Sequence, residues 1–388
     1  MIDSDIVVGT NPLDNDEPPA GAGLKVTVAK DELAQRLGIV SRAVSTRTAV
    51  LVLGGIRLRA EAGRLHLAAT DMELSLRASL EATVDGEGEV VVPGRLLLDI
   101  ARSLPGDDVS ITHRPEEAAV AVTSGTASYR LHTYSAEDFP RLPEVETARL
   151  HAIEREALVE TIARVGRSAS RDESRPVLTG ILVRFEPGKM VMAATDSYRL
   201  AVKETPVNGE LPDLEAIIPA RALQELARIA GAGEEVQLGL LENHVVFGAD
   251  GTWLTTRRID GQFPNYRQLL PEQFEYELQL PREELLEVVR RVSLMAQRNS
   301  PLRLRFAEGE LTVSAVTQDV GESRESLPAS FSADAMEIGF NADFLRDGLE
   351  SVDADTLKLK LISPLRPAVL EGEADDYTYL IMPIRLAG

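Results

Sequence analysis

GGIRLRAEAGRLHLAATDMELSLRASL, residues 54–80, alternates apolar and polar side chains on either side of a turn at Gly63. Period-2 alternation broken by a glycine reads as a β-hairpin. The pattern recurs as GILVRFEPGKMVMAATDSYRLAVKET, residues 180–205, turning at Gly188, and as LRLRFAEGELTVSAVTQDVGESRESL, residues 302–327, turning at Gly309. Ala68-Ala69-Thr70-Asp71 returns as Ala193-Ala194-Thr195-Asp196, and Thr317 holds the same place in the third copy. Three copies in one chain decide the architecture before any motif is weighed.

Other features repeat in phase with the hairpins. A helix follows a strand ending in Pro or Asn: PGRLLLDIARSL from Pro93, PARALQELARIA from Pro219 and NADFLRDGLESV from Asn341. Proline suits a helix start, where its missing N–H has no partner to lose. Each unit opens with an earlier helix: DELAQRLGIVSRAVSTR from Asp31, EREALVETIARVGRSASR from Glu154 and PREELLEVVRRVSLMAQR from Pro281. Leu285, Val288, Val289 and Val292 keep the helical i, i+3, i+4, i+7 spacing. Phe139-Pro140 and Phe263-Pro264 close the first two units. The fold class is therefore α+β, with three repeated domains of roughly 120 residues each. The predicted limits are 24–147, 148–271 and 272–388. Residues 1–23, rich in Asp, Pro, Gly and Asn, read as a disordered acidic extension.

The 388 residues are 44% apolar but only 4% aromatic, so the cores must be built from Leu, Val, Ile and Ala. There is no cysteine, which excludes disulfides, thiolate metal sites and thiol nucleophiles. The N-terminus lacks the basic and apolar regions of a signal peptide, and no apolar run is long enough for a membrane helix. A cytoplasmic protein is expected. The net charge of −21 speaks against ordinary phosphate binding.

The chain resembles the bacterial DNA polymerase III beta subunits, the sliding clamps, over nearly everything after residue 23. The specific marks are ATDSYRLAV (194–202), IDGQFPNYRQLLP (259–271), MEIGFNADFL (336–345) and YLIMPIRL (379–386), on a matching triplication. The resemblance implies three clamp-type domains per chain, with helices lining a central hole and antiparallel sheets outside, closing as a head-to-tail dimeric ring. It implies a processivity factor that encircles duplex DNA without reading sequence and tethers the replicative DNA polymerase. A clamp loader and other proteins carrying clamp-binding motifs are implied as partners, with no membrane and no cofactor. A variant of the same reading is a second, inhibitor-resistant clamp copy.

The charge objection is met in part. The six helical segments of the repeats hold as many arginines as carboxylates, so the acidic excess lies elsewhere. A closed ring also needs little phosphate affinity to stay on DNA. By family position Arg47 and Arg175 are expected to face DNA, with Arg42, Arg95, Arg171, Arg221 and Arg298 behind them; the plain alternative is exposed helix arginines paired with local carboxylates. The resemblance carries a peptide-binding pocket onto Leu178, Thr195, Ser197, Tyr198, Arg199, Leu200, Pro264, Gln268, Leu269, Pro367, Leu380, Ile381, Met382, Pro383, Ile384 and Arg385. Apolar side chains would form its floor, with a few polar contacts from Thr195, Tyr198 and Arg199; the alternative is that Leu200, Ile381 and Ile384 are strand core. Ser197-Tyr198 replaces a frequent Gly-His pair and Gln268 a frequent Arg, which bears on peptide preference. The dimer seam falls on Tyr129 and Leu131 of the first repeat and Leu294 and Met295 of the third.

An enzyme is the competing class, and the repeated Thr-Asp with Asp71 and Asp196 is its best site. These carboxylates lie in separate repeats, and Thr317-Gln318-Asp319 breaks the spacing, so a turn role explains them better. No P-loop, H-E-x-x-H or G-x-S-x-G is present, and the five histidines lack metal-ligand spacing. No catalytic site is expected. A scaffold that binds proteins but not DNA is the third reading, separated by whether the chain forms a stable dimer.

Overall fold

The computed structural model describes residues 23–45, 49–145, 148–209, 212–296, 300–318, 320–373 and 376–386. The predicted N-terminal extension, Arg47, Arg298 and Asp319 lie outside these residues, apart from Gly23.

The first repeat runs β1 (Lys25–Ala29), α1 (Lys30–Val40), β2 (Gly55–Glu61), β3 (Arg64–Thr70), β4 (Leu74–Glu81), β5 (Thr83–Gly86), β6 (Gly88–Pro93), α2 (Gly94–Ser103), β7 (Asp108–Arg114), β8 (Ala119–Ser124) and β9 (Ala127–His132). The second runs β10 (Leu150–Glu154), α3 (Arg155–Val165), the single turn α4 (Pro176–Thr179), β11 (Gly180–Glu186), β12 (Lys189–Thr195), β13 (Arg199–Pro206), β14 (Glu215–Pro219), α5 (Ala220–Ile229), β15 (Glu235–Leu240), β16 (His244–Ala249) and β17 (Thr252–Arg257). The third runs β18 (Tyr276–Pro281), α6 (Arg282–Ser293), β19 (Leu302–Ala307), β20 (Glu310–Thr317), β21 (Gly321–Pro328), β22 (Met336–Phe340), α7 (Ala342–Ser351), β23 (Thr356–Leu361), β24 (Ala368–Glu371) and β25 (Tyr377–Ile381). Apart from β5 and α4, the order is the same three times.

Each repeat opens on a strand that the hydropathy pattern does not separate from the helix after it. The proline before α2 sits at the N-cap rather than inside the helix, and Pro281 does the same before α6. Asn341 is the better cap of the three: its side chain accepts the Phe344 N–H at 3.0 Å. The helical spacing read in α6 is the buried stripe Leu285, Val288, Val289 and Val292. The hairpin glycines Gly63, Gly188 and Gly309 take φ of +74°, +76° and +72°, a region closed to most side chains. In the second hairpin Pro187 fixes the preceding φ negative, so the turn needs positive φ only at Gly188.

The main chain packs as two units. One holds residues through Ala152 together with Arg228–Arg257, and the other holds Ile153–Ala227 and Arg258 onward. The first contains a five-stranded sheet in the order β5-β1-β7-β8-β9, and strands β15-β16-β17-β4-β3-β2-β6 of an eight-stranded sheet that β10 completes at one edge. The second contains an eight-stranded sheet, β14-β11-β12-β13-β25-β24-β23-β18, and a four-stranded sheet, β21-β20-β19-β22. The hairpin pairs and the strands shared between repeats are antiparallel. The repeats are thus stitched by sharing sheets: β17 of the second pairs β4 of the first, from Thr252↔Ala78 to Thr256↔Leu74. In the same way β25 of the third pairs β13 of the second, from Arg199↔Ile381 to Lys203↔Tyr377. One face of each sheet is core. Ile56, Leu58, Leu65, Leu67 and Leu76 are buried in the first unit, and Ile181, Val183, Met190, Met192 and Ala201 in the second.

Candidate functional site

The repeated Thr-Asp is a turn device. Thr195 Oγ1 donates to the Arg199 carbonyl at 2.7 Å, and Asp196 Oδ1 accepts the N–H groups of Tyr198 and Arg199 at 2.9 and 3.0 Å. The first repeat does the same: Thr70 Oγ1 donates to the Leu74 carbonyl, and Asp71 Oδ1 accepts from Glu73 and Leu74. These bonds hold the residue after Asp at positive φ, +80° at Met72 and +81° at Ser197. A non-glycine there costs about 1 kcal/mol, which the frequent glycine of the family pair would avoid. In the third repeat Thr317 Oγ1 turns to the Met295 carbonyl instead.

In the second unit this turn overlooks a hydrophobic floor. Leu182, Val191, Ala193, Leu200, Val202, Tyr266, Val369 and Leu380 form one buried cluster, with Phe263, Leu270 and Phe274 packed against it. Register explains it: Leu182↔Ala193↔Val202 and Thr195↔Leu200↔Leu380↔Val369 run across the strands, so all point to the sheet face away from the core of the repeat. Around the floor stand apolar side chains left open to solvent: Tyr198 at 61% exposure, Leu269 at 50%, Met382 at 41% and Ile384 at 36%. The Met382 N–H donates to the Tyr198 carbonyl at 2.8 Å, so these two rim residues are tied together. Pro264, Gln268 and Arg385 are exposed, and Pro367 and Pro383 are half-buried. Exposed apolar side chains above an apolar floor form a surface suited to short hydrophobic peptides.

The sequence-predicted residues divide by burial. Leu178, Leu200, Leu380 and Ile381 are buried, so they shape the floor or the core beneath it. Arg199 is not available to a partner, contrary to its expected polar contact. It is 8% exposed, pairs with Asp196 at 3.1 Å and Asp347 at 2.6 Å, donates to the Arg167 carbonyl, and lies 4.3 Å from the centre of the Phe344 ring. Burial alone would lower its pKa, but Tyr379 and the Asp347 hydrogen bond hold it above its ordinary value. Thr195 is likewise buried, with its hydroxyl spent inside the turn. Arg175, expected at the DNA face, donates to Ser197 Oγ at 3.0 Å and pairs with Asp172 at 2.8 Å, so it braces the Ser197-Tyr198 turn. Arg42, Arg95, Arg171 and Arg221 are exposed at or beside helix ends. At the expected seam Leu294 is 84% exposed, Tyr129 is 38% exposed on β9, and Leu131 is buried. Met295 lies against Gly321, at the start of β21.

The same scaffold occurs at the junction of the first and second repeats. The Arg257 N–H donates to the Glu73 carbonyl at 3.1 Å, as Met382 does to Tyr198. Its outward face differs. Where the floor has Leu182, Val191, Leu200, Val202 and Leu380, the first junction has Arg57, His66, Ser75, Arg77 and Thr255, which sequence reasoning passed over. Arg57 stacks on the Phe139 ring and Arg77 donates to the Pro143 carbonyl, holding down the segment after the Phe-Pro motif. No cluster of three or more metal-ligating side chains occurs among the described residues, and none of their helices is long and apolar enough to cross a membrane.

Comparison with known proteins agrees over the whole described length. Models of the N-terminal, central and C-terminal domains of the DNA polymerase III beta subunit match residues 24–143, 152–265 and 267–385. The beta sliding clamp of Streptomyces coelicolor is 36% identical over 379 residues, covering 94% of this chain and 100% of that protein. The beta sliding clamp homolog GriR of Streptomyces muensis is 33% identical, covering 93% and 99%. Among solved structures, the Caulobacter crescentus beta sliding clamp superimposes with a TM-score of 0.89 at 27% identity, covering 94% of this chain and 99% of that one. The Pseudomonas aeruginosa sliding clamp bound to griselimycin gives 0.86 at 28%, covering 94% and 100%. With three domain models in register along the chain and full-length relatives above 30% identity, the chain belongs to the DNA polymerase III beta-subunit family, the beta sliding clamps.

Proposed function

We propose that two copies of this chain close head to tail into a ring around duplex DNA, and that the ring tethers a replicative polymerase without catalysing any reaction itself. The sharing of sheets between repeats carries the reading. The last strand of the second repeat, β17, pairs the third hairpin strand of the first, β4; the last strand of the third, β25, pairs the corresponding β13. By the same rule the remaining edges, β9 of the first repeat and β21 of the third, would pair between copies. Both stand at the end of their sheets. Exposed edges invite such pairing, and using each edge once per copy closes the assembly with two-fold symmetry. Tyr129 on β9, and Leu294 beside Met295 and β21, supply exposed apolar surface for that seam.

Encirclement reconciles a chain of net charge −21 with DNA, since topology rather than phosphate affinity retains the ring. Arg47 and Arg175, with Arg42, Arg95, Arg171, Arg221 and Arg298, are the proposed DNA-facing set. Tyr198, Leu269, Met382, Ile384 and the floor beneath them are the proposed peptide pocket. Tethering through it raises the polymerase's effective concentration at the primer end. Domain limits near 147 and 271, the clamp loader, other motif-bearing partners and a cytoplasmic setting belong to the same proposal. The test is retention on circular DNA with a clamp loader and ATP, before and after the circle is cut. Retention followed by loss on cutting supports encirclement. Equal, salt-sensitive binding to circular and linear DNA overturns it. The second reading, an inhibitor-resistant extra copy, is consistent with the similarity to the homolog GriR; tight griselimycin binding would remove it.

A further inference from the structure

We infer that one charge pair, Arg130 of one copy against Glu322 of the next, makes this chain select its own kind as ring partner. The inference rests on the head-to-tail ring proposed above and adds to it a strand register and a rule for partner choice.

The register follows from the two junctions that lie within one chain. In every repeat the hairpin closes on a two-residue turn, pairing Glu61 with Arg64, Glu186 with Lys189 and Ala307 with Glu310. On their other side Arg64, Lys189 and Glu310 pair Glu81, Pro206 and Pro328. Counting back equally along β4, β13 and β21 makes Ser75, Leu200 and Glu322 equivalent. The turns Asp250-Gly251 and Gly125-Thr126 are also two residues long, so Thr252 and Ala127 are equivalent. Thr252 pairs Ala78, and Tyr377 pairs Lys203 at the same place in the second junction. The same register between copies sets Ala127 opposite Glu325, Tyr129 opposite Ser323, Arg130 opposite Glu322 and Leu131 opposite Gly321.

Side-chain size and charge agree with that register. On the inward face Tyr129 would meet Ser323 as Tyr379 meets Ala201, a large side chain over a small one, and Leu131 would meet a glycine. Tyr379 is fully buried, whereas Tyr129 is still 38% exposed. On the outward face one row holds Ser75 and Thr255 at the first junction and Leu200 and Leu380 at the second. At the seam that row holds Glu322 and Arg130, which are opposite in charge. Glu322 is exposed and makes no ion pair among the described residues. Arg130 reaches Glu117 at 3.1 Å, with side chains 60% and 38% exposed, and Arg114 reaches the same Glu117 at 3.4 Å. Exposed pairs of that kind contribute little, so Arg130 is free to turn to Glu322 while Arg114 keeps Glu117. Arg324 stands opposite Ser128 and therefore diagonal to Arg130, farther away than Glu322 directly across. Like charges set directly opposite repel, so a chain with the pair reversed is a poor partner.

Sedimentation velocity of the intact chain tests the pair. The parent should be a dimer. Arg130→Glu and Glu322→Arg should each weaken the dimer at least about tenfold, because like charges then face each other at both seams. An equal mixture of the two variants should return to the parent's dimer, since each seam then joins opposite charges. Both positions are exposed, so unchanged melting curves exclude misfolding. The chain has no cysteine, which allows a check of register alone. Directly opposed residues stand about 4.5–5.5 Å apart at Cα, within disulfide reach, so Arg130→Cys/Glu322→Cys should lock into a covalent dimer with added oxidant. A dimeric parent whose variants dimerise equally well, or a mixture no more dimeric than its components, would overturn the pair and leave the ring standing. A monomeric parent would overturn the ring and the pair with it.

Discussion

Replacing Arg199 with alanine should be among the most damaging single changes in the second unit. Its guanidinium lies between Asp196 and Asp347, at 3.1 and 2.6 Å, in a place where the side chains of all three are 9%, 13% and 23% exposed. Removing one partner of a buried pair leaves uncompensated charge and costs about 3–5 kcal/mol. Loss of the stack on Phe344 adds about 1 kcal/mol. Desolvation is incomplete at Asp347, so the lower end of that range is the better expectation: about 3 kcal/mol for the pair, and about 4 kcal/mol with the stack. Urea unfolding of the second unit, followed by circular dichroism, reads it as a lowered midpoint. The double change Arg199→Met/Asp347→Leu should recover only part of the loss, because it removes the Arg199 and Asp347 charges together but leaves Asp196 without its cation. The same replacement should weaken an apolar peptide, since Asp196 and Arg199 fix the turn carrying Tyr198. A loss below about 1 kcal/mol for Arg199→Ala would show that water already screens the pair and would refute a structural role for Arg199.

Charge at both Leu294 and Met295, as Leu294→Glu/Met295→Glu, should give monomers in sedimentation velocity; an intact dimer would place the seam elsewhere. Met382→Asp should reduce binding of a short Leu- and Phe-containing peptide at least about tenfold, measured by anisotropy, while leaving the melting temperature near that of the parent because Met382 is 41% exposed. Stability should also fall as pH drops from about 6.5 toward 4. Burial, then the neighbouring arginines Arg59, Arg64 and Arg57, lower the His66 pKa to about 4. Between the two values the unfolded chain takes up a proton that the folded chain refuses, so the contribution is full above 6.5 and lost on acidification. It amounts to about 3 kcal/mol in full. Urea midpoints at pH 7 and 4.5 check it, and His66→Gln should flatten that part of the slope.

Most of the local structure was legible because it is local. Alternation around Gly63, Gly188 and Gly309, the stripe of α6, and the Thr-Asp turns each declare themselves within a dozen residues. The opening strands β1, β10 and β18 did not, since five or six residues running straight into a helix leave too short an alternation to separate. The role of Arg199 was hidden for a different reason: Asp347 lies 148 residues away, and nothing near Arg199 in sequence announces it. The pocket came from family resemblance rather than from physics. Leu200 and Leu380 look like any strand residues until cross-strand register puts them side by side on the outward face.

The two inter-repeat junctions show how one scaffold yields two surfaces. Along β2 and β3 the inward residues Ile56, Leu58, Leu65, Leu67 and Ala69 match Ile181, Val183, Met190, Met192 and Ala194, all buried. The residues between them match only in part: Arg59, Glu61 and Ala68 recur as Arg184, Glu186 and Ala193, but Arg57, His66 and Arg77 stand where Leu182, Val191 and Val202 stand. A strand's period of two makes this separation automatic. Inward positions are bound to the core and the helices over it, and swapping them costs cavity or strain. Outward positions pack only under the segments around Phe139 and Phe263, so their chemistry differs between the junctions. The turn is held by Thr and Asp through backbone bonds that ignore what the neighbouring side chains are, so the same frame supports an apolar floor at one junction and, at the other, a mixed one in which Arg57, His66 and Arg77 stand beside Ala68 and Val91. Surface identity in this chain is therefore written on alternate residues of strands whose remaining residues fix the fold.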